Sequence, residues 1–163
     1  KSGCKFIVIP CNTAHYWYED LQKKIKIPII NMPKEVFLQT KKECKKKSKI
    51  GLLATEGTLS TKIYDKLFEN DFELIKPSNN LQIQSVNKAI KSVKMGNIKL
   101  AEKSINRAIN YLIKKKCKKI ILGCTELPIA IFAFKSLKNV KTSKLYLDPN
   151  LILANSSMKK YIK

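Results

Sequence analysis

Two cysteines sit in matched surroundings. Phe6-Ile7-Val8-Ile9-Pro10-Cys11-Asn12-Thr13-Ala14-His15 and Ile120-Ile121-Leu122-Gly123-Cys124-Thr125-Glu126-Leu127-Pro128 each run from an apolar stretch through Pro or Gly to a Cys with small polar neighbours. Each then leads into a helical pattern, so a strand, a tight turn and a helix start are written twice. Ligands of parallel sheets bind outside the carboxyl ends of the strands, which is where both thiols fall. A cysteine at the mouth of a helix meets the positive end of the dipole and free backbone donors, both of which favour the thiolate. Two such thiols on opposite walls of a cleft could take a proton from one face of a carbon and return one to the other, which is the chemistry of racemisation or epimerisation. His15 lies one step into its helix, placed either to donate to the site or to be a satisfied histidine of core or cleft. Cys4, Cys44 and Cys117 lack the matched context and read as small buried hydrophobes.

The elements that must hold these residues can be read in order. Lys5 to Ile9 reads as a strand, and Ala14, Trp17, Tyr18, Leu21 and Ile25 form the apolar face of a following helix. Ile27 to Met32 reads as a second strand, and Glu35 to Lys47 as a polar helix serving as a solvated connector. Lys49 to Ala54 is an apolar strand, followed by a loop rich in hydroxyls at Thr55-Glu56-Gly57-Thr58; Ser60 is placed to cap the next helix, with its face at Ile63, Tyr64, Leu67 and Phe68. Phe72 to Lys76 is a strand closed by Pro77 and Ser78-Asn79-Asn80. One helix then buries Ile83, Val86, Ile90 and Val93 and ends at Lys94-Met95-Gly96; the next buries Ile98, Ala101, Ile105, Ala108, Ile109 and Leu112. After the second cysteine strand, Leu127 to Leu137 is apolar almost all round and reads as a buried helix, Tyr146 to Asp148 as a last strand end, and Leu151 to Ile162 as a closing helix. Strands alternating with helices predict an α/β fold with parallel sheets. The expected organisation is 1–47 as part of a first lobe, 48–128 as a second lobe, and 129–163 as a C-terminal segment returning to the first.

The 163 residues, 44% of them hydrophobic, suffice for one compact core or two small lobes sharing a cleft. No apolar run approaches the roughly 18 residues of a membrane span. The opening Lys1-Ser2-Gly3-Cys4 has no signal-peptide pattern and no initiator Met, which predicts a cut N-terminus. A net charge of +21 would suit a polyanion. Against that, Arg107 is the single arginine, and readers of bases and phosphates lean on arginine forks, so the lysines read as solvated faces and no nucleic-acid partner is expected. Five cysteines without CxxC spacing and one histidine indicate neither a disulfide framework nor a zinc site, so no metal is expected and reduced thiols in a cytoplasm fit best.

Pro10-Cys11-Asn12-Thr13-Ala14-His15, Leu52-Leu53-Ala54-Thr55 with Gly57-Thr58, and Gly123-Cys124-Thr125-Glu126-Leu127-Pro128 resemble the signature blocks of the aspartate/glutamate racemase family. The match runs in order from the first strand to Asp148-Pro149, and the two cysteine blocks together are its specific part. Glu126 stands where glutamate racemases carry a histidine, which favours the aspartate racemase branch. The resemblance implies two similar flavodoxin-like lobes around one active site and a cofactor-independent amino-acid racemase acting on a small-molecule substrate, aspartate or glutamate, as a homodimer. Carried onto this chain, it implies Cys11 and Cys124 as the catalytic thiols, with Asn12, Thr13, Thr55, Lys94, Thr125 and Glu126 binding substrate and Lys94 pairing with its side-chain carboxylate. Family members begin with a strand, a Gly-rich loop and a further unit before the first cysteine strand. The first lobe is therefore expected to be incomplete at its N-terminus, and the chain to be a fragment or an inactive remnant. Another reaction of the family and a basic binding module are the remaining alternatives.

Overall fold

The computed structural model describes residues 3–133 and 144–162. Two parallel sheets organise them. The smaller pairs β1 (Ile7–Val8) with β2 (Ile29–Ile30), and the larger has the order β4 (Glu73–Ile75), β3 (Lys49–Ala54), β5 (Lys119–Gly123), β6 (Tyr146–Leu147). This is the α/β architecture with parallel sheets that the alternating pattern predicts. The first two strands are shorter than their apolar runs, because a ladder forms only where the two chains run side by side and each has a single neighbour.

The larger sheet is the centre of the core. Its strands carry near-continuous apolar runs because side chains on both faces are buried. Ile50, Leu52 and Ala54 of β3 with Ile121 of β5 face Tyr64, Phe68 and Phe72, while Leu53, Ile120 and Leu122 face the other layer, built on α7 (Ile98–Lys114). The expected stripe of α7 is buried from Ala101 through Leu112. That helix comes so close to β3 that a Cβ on Gly51 would stand 2.7 Å from Leu112 Cδ1.

Several expectations are corrected. The helix read as a solvated connector starts earlier and is partly core: α2 (Met32–Glu43) is capped by the Asn31 side chain, and Met32, Val36 and Thr40, four residues apart, bury one stripe. The Thr55-to-Thr58 loop is the start of a short helix, α3 (Glu56–Ser60), capped by Thr55 Oγ1. Ser60 donates to the Gly57 carbonyl instead of capping α4 (Ile63–Phe68), which starts from Lys62 in left-handed backbone at φ 54°. Ile83 is exposed because residues Gln82–Asn87 wind as a π-helix between α5 (Asn79–Leu81) and α6 (Lys88–Lys94). The wider turn rotates the apolar stripe and brings Gln82 inward in its place. Trp17 is likewise exposed, lying in a 3₁₀ segment (Thr13–Trp17) that precedes α1 (Tyr18–Lys24) and follows a different angular step. Helix α8 (Glu126–Phe132) buries Leu127, Ala130 and Ile131 but exposes Ile129 and Phe132, so it is one-sided; the part expected from 134 to 137 lies outside the described residues. Within the closing segment, β6 joins β5 in the larger sheet, whereas α9 (Pro149–Ile162) packs on α2 and β2, with Ser156 Oγ donating to Glu35.

Candidate active site

The two cysteine blocks build the same backbone device. The Cys11 amide donates to the Ile9 carbonyl at 2.8 Å, and the Cys124 amide donates to the Leu122 carbonyl at 2.8 Å. A helical turn follows in both, closed at 3.1 Å by His15 N to Asn12 O in the first and by Leu127 N to Cys124 O in the second, so it starts one residue after the first thiol and at the second thiol itself. Each strand thus ends in a three-residue turn that presents a thiol.

The first turn is tied to the end of β3 through hydroxyls. Thr58 Oγ1 lies 2.7 Å from Thr13 Oγ1 and 3.0 Å from Thr55 Oγ1, and Thr58 is buried. Thr55 follows Ala54, whose register partner on β5 is Gly123, the residue before Cys124. A Cβ on Gly123 would stand 3.0 Å from that of Ala54, so glycine lets the two strand ends converge. Asn12 turns inward, where its Oδ1 accepts from Tyr64 Oη at 2.5 Å. Burial pushes the Tyr64 phenol up, so it stays a donor. Cys11 itself is exposed.

The second turn gathers a different set. Cys124 Sγ and Thr125 Oγ1 both donate to Glu126 Oε2 at 2.8 Å, and Lys94 Nζ, at the end of α6, is 3.5 Å from Glu126 Oε1. Lys94 therefore belongs to this cluster. The Cys124 thiol is pushed up to about 12, first by burial and then by its bond to Glu126 and that carboxylate's charge; the Glu126 amide and Lys94 oppose the rise. This corrects the expectation of a thiolate favoured at the helix mouth, since burial and a neighbouring carboxylate outweigh the end of a seven-residue helix. Glu126 is held below its ordinary value, its bonds from Cys124 and Thr125 and the charge of Lys94 outweighing the cost of its burial.

All eight residues expected at the site thus lie at the carboxyl ends of β1, β3 and β5 or at the end of α6. Other residues take part without having been singled out as site residues. Thr58 is the hub of the hydroxyl chain, Tyr64 holds Asn12, and Gln82 donates to the Ala54 carbonyl at 2.8 Å. Thr58 lies in the Gly57-Thr58 pair that belongs to the family resemblance, while Tyr64 carries only the signal of a core stripe. Of the remaining thiols, Cys117 is buried as expected, Cys44 is half-buried, and Cys4 is exposed, against expectation. Among the described residues, no three His, Cys, Asp or Glu side chains gather as a metal site, and no helix is long and apolar enough to cross a membrane. A separate cleft of about 760 Å³ opens between α2, β6 and α9, lined in part by Leu38, Tyr146 and Leu151, and none of the eight residues lines it.

The chain is akin to known proteins in both sequence and fold. A family model described as Asp/Glu/hydantoin racemase matches residues 1–156. A broad-specificity amino-acid racemase of Bacillus subtilis is 26% identical over 162 residues, 99% of this chain and 67% of its own length. The solved aspartate racemase of Picrophilus torridus superposes with a TM-score of 0.78 at 28% identity, over 97% of this chain and 62% of that one. The glutamate racemase of Aquifex pyrophilus, at 24% identity over 99% of this chain and 60% of its own, shares the fold with a TM-score of 0.61. The chain spans about three fifths of the length of these two solved relatives.

Proposed function

The chain belongs to the Asp/Glu/hydantoin racemase family, and from that premise we propose that it interconverts the L and D forms of an acidic amino acid, aspartate by preference, by two-thiol proton transfer without a cofactor. The observation that carries the reading is the repeated turn, which puts one thiol after β1 and one after β5, with Thr13, Thr58 and Thr55 linking the first turn to the end of β3, the strand paired with β5. The likeness to an aspartate racemase at 28% identity supports the aspartate preference, as does Glu126.

In the proposed cycle one thiolate removes the α-proton and the electron pair delocalises into the substrate's carboxylate. The opposite thiol then gives its own proton to the other face of the carbon. The substrate leaves inverted, and the enzyme's proton has changed sides. Asn12, Thr13, Thr55 and Thr125 are the donors and acceptors for the α-carboxylate and ammonium groups, and Lys94 pairs with the distal carboxylate. Cys124, with its proton held toward Glu126 and its pKa pushed up to about 12, starts as the acid, and exposed Cys11 starts as the base. The substrate hand whose α-hydrogen faces Cys11 is then the one this resting state accepts.

The test is loss of optical rotation from L-aspartate and from L-glutamate without added cofactor. It compares the full-length gene product with its Cys11→Ser and Cys124→Ser forms. Racemisation abolished by either substitution is the expected result; a folded full-length protein inert toward both amino acids, or one active without either thiol, overturns the reading.

A further inference from the structure

His15 is a buried titratable group that the proton-transfer scheme does not use. It is the chain's single histidine and is 5% exposed. Both ring nitrogens are engaged: Nδ1 lies 2.8 Å from the Cys11 carbonyl, and Nε2 accepts the Met32 amide at 3.1 Å. An amide can only donate and a carbonyl only accept, so these partners define one protonation state, the neutral ring with its proton on Nδ1. The ring spans the Cys11 turn and the junction of β2 with α2, and beyond it Met32 packs with Ile30 and Leu153 in a separate apolar cluster.

We infer that His15 is the positioning residue of the first thiol: a neutral strut that fixes the Cys11 turn to the start of α2, and that lets go when the imidazole takes a second proton. The inference rests on the reading of Cys11 as an acid/base thiol. Protonation would point a new N–H from Nε2 at the Met32 N–H, replacing a bond with two opposed donors. Burial holds the imidazole below its ordinary 6.5, more than offsetting the backbone bonds with Cys11 and Ile30, both of which favour the charged ring. The unfolded chain therefore binds the proton first as pH falls, so the strut's contribution is complete above about 6.5 and is lost as pH drops below it. Among the described residues, the titratable side chain stacked on the ring is Tyr18, at 6.3 Å between centroids; Cys11 meets the ring through its carbonyl. Among the described residues, no charged side chain contributes to the shift.

Glutamine separates the strut from the titration. Its amide can donate to the Cys11 carbonyl and accept from the Met32 amide, as the ring does, but it does not protonate in this range. The experiment follows the imidazole ¹⁵N signals with pH in the full-length gene product; where that product adds histidines, His15→Gln identifies the signal. It then compares racemisation and peptide-resolved alkylation of Cys11 in the wild type, His15→Gln and His15→Leu. The expected ring is the Nδ1-protonated neutral tautomer, titrating below 6.5. His15→Leu should lower kcat by about 10- to 100-fold with KM little changed, the scale of a misplaced reacting group. His15→Gln should restore kcat to within about threefold and make the fall in kcat below pH 6.5 less steep than in the wild type, the limb that remains being the loss of the Cys11 thiolate.

A ring that titrates at or above its ordinary value, the opposite tautomer, or Gln and Leu variants with equal kcat would overturn the inference. If the wild type racemises nothing, the proposed function fails, and the strut is still decided by Cys11 alkylation. A rate changed about tenfold in His15→Leu and unchanged in His15→Gln supports it, since a displaced turn alters thiol access and environment; equal rates in all three proteins refute it. Should His15→Leu fail to fold, the ring tautomer and the acid limb in His15→Gln carry the same decision.

Discussion

Replacing Glu126 by Gln is the sharpest probe of the second thiol. The substitution keeps the size of the side chain and removes its charge. In the structure Cys124 Sγ donates to Glu126 Oε2 at 2.8 Å, so ionising the thiol would set two negative charges side by side. Like charges about 4 Å apart repel by about 4 kcal/mol at an effective dielectric of about 20. Glu126 is 19% exposed and Lys94 lies beside it, which screens that repulsion to a fraction. Its carboxylate therefore accounts for on the order of 1–2 pKa units of the rise at Cys124, where one unit is about 1.4 kcal/mol. Burial, the largest cause, remains in the variant. Glu126→Gln should accordingly bring the Cys124 midpoint down from about 12 by about 1–2 units, still above the ordinary thiol value. The assay is the rate of Cys124 alkylation by iodoacetamide against pH, resolved by peptide mass spectrometry, with thermal melting as the control for folding. At fixed pH below the midpoint the thiolate fraction, and with it the rate, rises by about 10- to 100-fold. The sign is fixed by the removal of a negative charge, so an unchanged or higher midpoint in a folded variant would refute the claim that Glu126 holds the proton on Cys124.

Thr58→Val keeps the shape of the hub and deletes the hydroxyl shared by Thr13 and Thr55; urea unfolding should show a loss of about 1–3 kcal/mol, and kcat/KM should fall with it. Tyr64→Phe leaves Asn12 Oδ1 buried without its donor, and the same assay should show about 1–3 kcal/mol lost. Gly51→Ala drives a methyl to 2.7 Å from Leu112 Cδ1 and should cost about 1–3 kcal/mol, much of it recovered when Leu112→Val is added; an additive double mutant would count against that close approach.

Local signals carried most of this architecture. The apolar runs of β3 and β5 and the stripe of α7 are legible because burial on one or both faces imposes a periodicity that a single stretch of chain displays. The matched blocks at Cys11 and Cys124 are legible for the same reason: a strand end, a turn former and a helix start are neighbours in the chain. The π-turn at Gln82–Asn87 is not, because its shifted face, with Ile83 out and Gln82 in, follows from what packs against it. The partial burial of α2 depends on α9, more than a hundred residues away in the chain.

Residue types and spacing by themselves determined the parallel α/β class and the family to which the chain belongs, and they single out Cys11 and Cys124 for the proposed chemistry. Only the tertiary structure decided what surrounds each thiol. A helix mouth viewed locally favours a thiolate, yet at Cys124 burial and the Glu126 carboxylate hold the proton in place, and both are products of folding. Thr58 becomes a hub because a turn 45 residues earlier in the chain docks on it, and His15 becomes a strut because Met32 arrives at its far nitrogen. The reason is physical: propensity and periodicity are local and repeat along the chain, whereas desolvation, charge proximity and hydrogen-bond partnership arise only when distant segments meet.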